Sequence, residues 1–211
     1  MSRAISDEAF LDNLEEIFLA EGFRSIKIGD LASRLKCSRR RFYEYAGGKE
    51  ELFLLVCGRI FKRVQDVGWQ RAHDEPDIIK KIGAYLSAGI EGAQRMSAVF
   101  QEDIGSFAGG RDLYDDHQRK RIDGLRSLVE DGIAQGVFRN LNSYLVAEIT
   151  LMTVKRIRQP EFHRNSGMTF SEALAELSEF IRFGLVNDVQ TADGEQPHRV
   201  SQSDPLALKI F

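Results

Sequence analysis

Apolar positions recur at helical spacing along most of the chain. Phe10, Leu14, Ile17 and Phe18 form one stripe, the period of an amphipathic helix lying on a core. Ser6 stands before it as an N-cap, Asp7 and Glu8 occupy its first turn, and Gly22 ends it, each where helix-end chemistry favours that residue type. A second helix is predicted from Ile28 to Leu35, with Ile28, Leu31 and Leu35 on one face. A third runs from Arg39 to about Tyr45, stopped by Gly47 and Gly48. A fourth extends from Lys49 to about Val67 on the stripe Leu52, Leu55, Val56, Ile60 and Val64. Beyond Pro76 the pattern predicts longer helices at about 77–92, 94–107, 112–135, 142–158 and 170–187, with loops at 107–112 and 158–168. Alternating, strand-like patterns are short, so the expected fold class is all-α.

Composition narrows the setting. The chain has 211 residues, 43% hydrophobic and 29% charged, enough for a core that needs neither disulfide nor metal. Its two cysteines, Cys37 and Cys57, make no disulfide framework. The N-terminus lacks the apolar stretch of a secretion signal, and no run of about 18 apolar residues predicts a spanning helix. The expected setting is the cytoplasm, without a membrane partner. From Asp188 the chain turns polar, and 188–211 is expected to be a flexible tail. The net charge of −3 gives no general reason to bind nucleic acid, so only a local patch could do so.

That patch is "KCSRRRFYEYAGGKEEL", Lys36 to Leu52. Two short helices joined by a tight turn predict a helix-turn-helix. Ser38 is positioned to cap the third helix, and Cys37 and Phe42 fall where a hydrophobic staple forms. Phe42 is then expected to point inward, against Leu31 and Leu35. At ~100° per residue this places Arg40 and Glu44 nearly opposite, with Arg41 and Tyr43 flanking the exposed face and Arg39 and Tyr45 nearer the core. Cations in a first helical turn oppose the dipole by roughly 0.3–1 kcal/mol each, and Lys49 repeats the pattern at the next helix. A DNA phosphate would reverse that sign, and arginine is the commonest reader of guanine in the major groove. Arg40 and Glu44 are the expected base readers.

At this point about the first 65 residues resemble the TetR family of bacterial transcription regulators. The resemblance rests on Gly22-Phe23 closing the first helix, "IGDLA" (28–32), Ser38, Phe42-Tyr43, Tyr45 and Lys49-Glu50-Glu51-Leu52. It implies a helix-turn-helix head over 5–65, a helical ligand-binding and dimerisation domain over 66–187, and double-stranded DNA as partner. Carried over by position, it makes Tyr43 and Lys49 phosphate contacts and places 39, 40, 41, 44 and 45 where the family reads bases or holds the backbone. Lys27 stands where a threonine usually caps the second helix; either Ser25 substitutes for that cap or Lys27 itself reaches a phosphate. Lys36 stands at the usual turn glycine and requires a left-handed conformation or a reshaped turn. Ala46 replaces a packing aromatic. Arg40 and Arg41 replace small residues, which predicts a more electrostatic grip.

The remainder matches no motif except "GIAQGVFR" (132–139), similar to the family's joint before its last two helices. The resemblance implies that those helices pair with a second subunit, through stripes at Leu145, Ile149, Met152 and at Leu174, Leu177, Ile181; an internal core is the other reading. It also implies a small-molecule effector. The candidate lining is Phe61, Trp69, Tyr85, Met96, Phe100, Phe107 and Tyr114, which as single residues read equally as core. Nothing in the sequence suggests an enzyme. No phosphate-binding loop appears, "AGIEGA" (88–93) reads as a helix–helix contact, and His73, His117, His163 and His198 are scattered. "YDDHQRKR" (114–121) reads as an exposed charged face. No cofactor or metal is expected. The expected function is a ligand-responsive homodimeric repressor on a pseudo-palindromic operator. The alternatives are an activator of the same fold, or a helical small-molecule-binding protein or enzyme without DNA binding.

Overall fold

The Ser6 hydroxyl accepts a hydrogen bond from the Ala9 N–H at 3.2 Å and opens α1 (Asp7–Glu21). Gly22, at φ +69°, ends it by donating its N–H to the Phe18 carbonyl. A computed structural model describes residues 6–187; the tail expected at 188–211 lies outside the described residues. α2 (Ile28–Arg34) and α3 (Arg39–Tyr43) follow, then α4 (Lys49–Asp74), α5 (Ile78–Arg95), α6 (Ala98–Gly105) and α7 (Ala108–Ala134). α8 (Ser143–Ile157), α9 (Pro160–Ser166) and α10 (Phe170–Gly184) complete the order. The fold is all-α, as expected. The one extended pairing among the described residues is an isolated bridge between Phe138 and Val186.

The differences from expectation have local causes. α3 is two residues shorter than predicted and α4 seven longer. The extra turns of α4 are kept helical by α5, which packs back along them and buries Gly68 and Ala72. The segment 158–168 is not all loop: Pro160 starts α9 at a position that needs no N–H, and Gly167 closes it in the left-handed region at φ +72°. Nor is 107–112 a loop, since α7 begins at Ala108. Gly110 is required there because the Ile104 carbonyl occupies the space a Cβ would take. Ser38 occupies the N-cap of α3 but makes no side-chain capping bond. Lys36 adopts the left-handed conformation its position demanded, at φ +50°.

Two large apolar clusters organise the chain. The first gathers Phe10, Leu14, Phe18, Leu31, Phe42 and Phe53 from α1–α4, and also Phe100 and Ile104 from α6. The second joins Ile82 and Tyr85 of α5 with Leu125 and Val129 of α7 and Ile181 of α10. α6 thus belongs to the core of the N-terminal helices although it follows α5. Asp103 fixes it there: its Oδ2 accepts from the Phe23 N–H at 2.6 Å and the Arg24 N–H at 3.0 Å. The Ser97 N–H donates to the Leu19 carbonyl beside it. Glu15, 1% exposed, ties α1 to α4 through Arg59 and Arg63.

Candidate nucleic-acid interface and effector cavity

Phe42 sets the orientation of α3. It is buried and meets Phe10 edge-on at 5.1 Å, within the cluster that holds Leu31 and packs Leu35. The opposite face carries Arg40, whose side chain is 89% exposed, and Glu44 four residues on. Their 3.7 Å ion pair is exposed and worth a few tenths of a kcal/mol, so either partner exchanges it readily. Tyr43 beside them is 59% exposed. Ser38 and Lys27 are also exposed, at the starts of α3 and α2. The exposed face Arg40–Tyr43–Glu44 predicted from the staple is therefore the one the packing leaves open.

The run of arginines is divided in its work. Arg39 is exposed but lies across α2, with Nη2 2.8 Å from where a Cβ at Gly29 would stand. Arg41 turns inward: it pairs with Asp7 at 2.9 Å, its side chain is 18% exposed, and it lies 4.9 Å over the Phe10 ring. Tyr45 stacks on the same ring from 5.2 Å, half-buried. Arg41 and Tyr45 thus hold α3 to α1, which corrects the flanking position expected for Arg41. Lys49 needs no phosphate to explain it. Its Nζ donates to the Arg24 and Ile26 carbonyls at 2.8 and 3.1 Å and lies over Phe23. The dipole argument weakens for α3 itself, which is only five residues long; the outward geometry of Arg40 and Glu44 remains.

A cavity of about 60 Å³ lies between α4, α5, α7, α8 and α10. Of the aromatic and flexible residues expected around it, Met96 and Tyr114 line it. Tyr85 and Trp69 pack together 4.9 Å apart behind it, and Phe61 stacks on His117 from 4.4 Å. Phe100 and Phe107 are not pocket residues: both pack around Phe53 in the first cluster. Residues assigned elsewhere also join the lining. Leu174, Leu177 and Ile181, expected in a stripe facing a second subunit, line the cavity, whereas Phe180 and Phe183 of α10 are 73% and 61% exposed. On α8, Leu145, Ile149 and Met152 are exposed.

The polar part of the lining was hidden in "YDDHQRKR". His117 and Arg121 are one turn apart on α7, and both are buried. They line the cavity with Tyr114, so the segment is not wholly an exposed charged face. Burial, and then the Arg121 charge, lower the His117 imidazole from its usual 6.5 to about 3. The only signal available in the sequence was spacing: 114, 117 and 121 share one helical face.

No family model matches the chain, and no curated protein matches it in sequence. Solved structures do. The TetR-family regulator PfmR from Thermus thermophilus superposes with a TM-score of 0.58 at 20% identity, over 84% of this chain and 99% of that one. A transcriptional regulator from Cytophaga hutchinsonii gives 0.70 at 12%, over 85% and 98%. FadR from Bacillus subtilis in complex with stearoyl-CoA gives 0.63 at 13%, over 83% and 97%. With its helix-turn-helix, linking α4 and cavity-bearing bundle, the chain has the all-α fold of the TetR-family transcriptional regulators.

Proposed function

We propose that the chain is a DNA-binding transcriptional regulator: a ligand-responsive homodimer, acting as a repressor on a pseudo-palindromic operator. The observation that carries this reading is the face of α3. Arg40, Tyr43 and Glu44 project from the second helix of a helix-turn-helix while Phe42 anchors its back. A helix presented this way enters a major groove, with Arg40 and Glu44 against base edges and Tyr43 against a phosphate. Lys27, Ser38, Arg39 and Lys49 are the further candidate contacts. For Lys49, a phosphate contact would share an ammonium already bonded to two carbonyls.

A second copy is favoured by the apolar surface of α8 and α10. Tyr144, Leu145, Ile149, Met152, Phe180 and Phe183 are all more than half exposed, on helices that pack against each other. Patches of this kind mark interaction surfaces, and paired heads match the two-fold symmetry of a palindromic site. The effector role rests on the cavity and on the ligand held by the B. subtilis neighbour. α6 offers the route to the head. It follows Met96, a lining residue, by two positions, and its Asp103 holds the turn between α1 and α2. A ligand shifts DNA affinity only by binding the two states unequally, typically by about 1–3 kcal/mol.

Binding to randomised duplex DNA across a salt series tests the reading. The expected result is selection of a pseudo-palindrome, with log affinity falling steeply as log salt rises. No selected sequence together with a flat salt response would overturn it.

A further inference from the structure

Arg121 is 6% exposed, inside the body of the protein, and no carboxylate among the described residues pairs with it. Its neighbours are neutral. Nη2 donates to the Tyr85 carbonyl at 2.9 Å, Nη1 to the Val64 carbonyl at 3.5 Å, and the guanidinium lies 4.7 Å over the Tyr85 ring. Those bonds use two of five N–H groups. Carbonyl dipoles and a ring face do not cancel a full charge, and a buried charge without a counter-ion is costly. His117, one turn away on α7, is held neutral by burial and by Arg121 itself, and no carboxylate among the described residues lines the cavity, so the site carries one net positive charge.

The surrounding sequence makes room for that charge. A Cβ at Gly89 would stand 2.9 Å from Nη2, and one at Gly68 3.1 Å from Nη1. Two helices therefore forgo side chains where the guanidinium lies, which also gives Gly89 of "AGIEGA" a role beyond helix contact. The rest of the cavity is mainly apolar, with Ile90, Val154, Leu174, Leu177 and Ile181 along its walls. An outer cleft shares Ala93, Met96 and Phe170 with it and carries Arg158, His163 and Arg164 beside Glu102.

We infer that the effector is a small organic acid, its carboxylate paired with Arg121 in the cavity and its apolar body extending past Met96 and Phe170 into the outer cleft that shares those residues. This rests on the effector reading above and names its chemical class. The guanidinium fork matches a carboxylate in two parallel bonds. Pairing supplies a counter-ion, so much of the affinity comes from neutralising a buried charge that the carboxylates of the described residues do not pair. Alcohols and amines of the same shape offer no such relief, and an amine adds a second positive charge.

Calorimetric titration of the full chain with octanoate, 1-octanol and octylamine tests the inference without any variant. Octanoate is expected to bind at least roughly tenfold more tightly than octanol, and octylamine more weakly than either. Equal affinities, or no binding of octanoate, would overturn the inference. R121M provides the second arm. It removes the charge and keeps the volume, so the ligand-free protein should melt at the same temperature or higher, and the preference for octanoate over octanol should vanish. R121M binding octanoate as tightly as the native chain would overturn the assignment. Affinity for a selected operator, measured with and without octanoate, separates the two proposals. Octanoate bound through Arg121 with DNA affinity unchanged refutes the effector role alone. DNA binding without any octanoate binding refutes the organic-acid inference alone.

Discussion

Asp103→Ala cuts the connection between α6 and the turn that follows α1. The carboxylate is 5% exposed and accepts from two backbone N–H groups, at 2.6 Å from Phe23 and 3.0 Å from Arg24. Those donors belong to the turn after Gly22, whose positive φ leaves them no helical carbonyl. A hydrogen bond to a charged acceptor contributes about 1.5–3 kcal/mol, and a buried donor left alone costs a similar amount. The Phe23 bond is buried and counts fully; the Arg24 N–H is half-exposed and water replaces part of its loss. The desolvation cost of the buried carboxylate, recovered on truncation, offsets a further part. The net loss is about 3 kcal/mol, which for a chain of this size lowers Tm by roughly 6–12 °C. Asp103→Asn, which keeps one acceptor oxygen, should lose about half as much. Thermal and urea unfolding followed by circular dichroism read both variants. In parallel, affinity for a selected operator with and without octanoate tests whether α6 couples the cavity to the helix-turn-helix. A Tm for Asp103→Ala within about 1 °C of the native chain would refute the reasoning, because no other described contact replaces these two bonds.

Three further predictions follow from the same geometry. Arg40→Ala should relax base preference at one operator position by about 1–3 kcal/mol while leaving the melting temperature unchanged, since its exposed ion pair contributes little; selection on randomised DNA with a parallel melt checks both. Phe180→Asp, on the exposed apolar face of α10, should convert dimer to monomer in sedimentation velocity without unfolding the chain, and an unchanged sedimentation coefficient would count against this interface. His117 should make stability depend on pH. Its folded value of about 3 lies below the unfolded 6.5, so its contribution is complete above about pH 6.5 and erodes as pH falls towards 3. At pH 5 the loss is about 2 kcal/mol. Urea titrations at pH 7 and pH 5 measure it, and His117→Gln should remove that part of the slope.

How much of this was legible in the sequence depends on the range of the physics involved. Ser6, Gly22, Gly47 and the stripe through Phe10 and Phe18 act within one or two turns, and the first helices lie where their own residues place them. The outward face of α3 was legible for the same reason: Phe42 is buried and Arg40 therefore is not. The Pro160 and Gly167 signals of α9 were also present, although the segment reads as a loop by composition.

Tertiary packing decided what local periodicity leaves open. Phe100, Phe107 and Leu177 are alike as apolar positions, yet the first two pack in the cluster of the N-terminal helices and the third lines the cavity. Leu177 and Phe180 lie three residues apart on α10, one facing the cavity and the other solvent. Arg41 was turned inward by Asp7 and Phe10, residues more than thirty positions away in the chain. Arg121 sits in a run that reads as surface charge until Gly68 and Gly89, on two other helices, make space for it. A helix's period determines that it has an apolar face. It does not determine which neighbour that face meets, because hydrophobic burial has no direction and the partner is chosen by the packing of the whole chain.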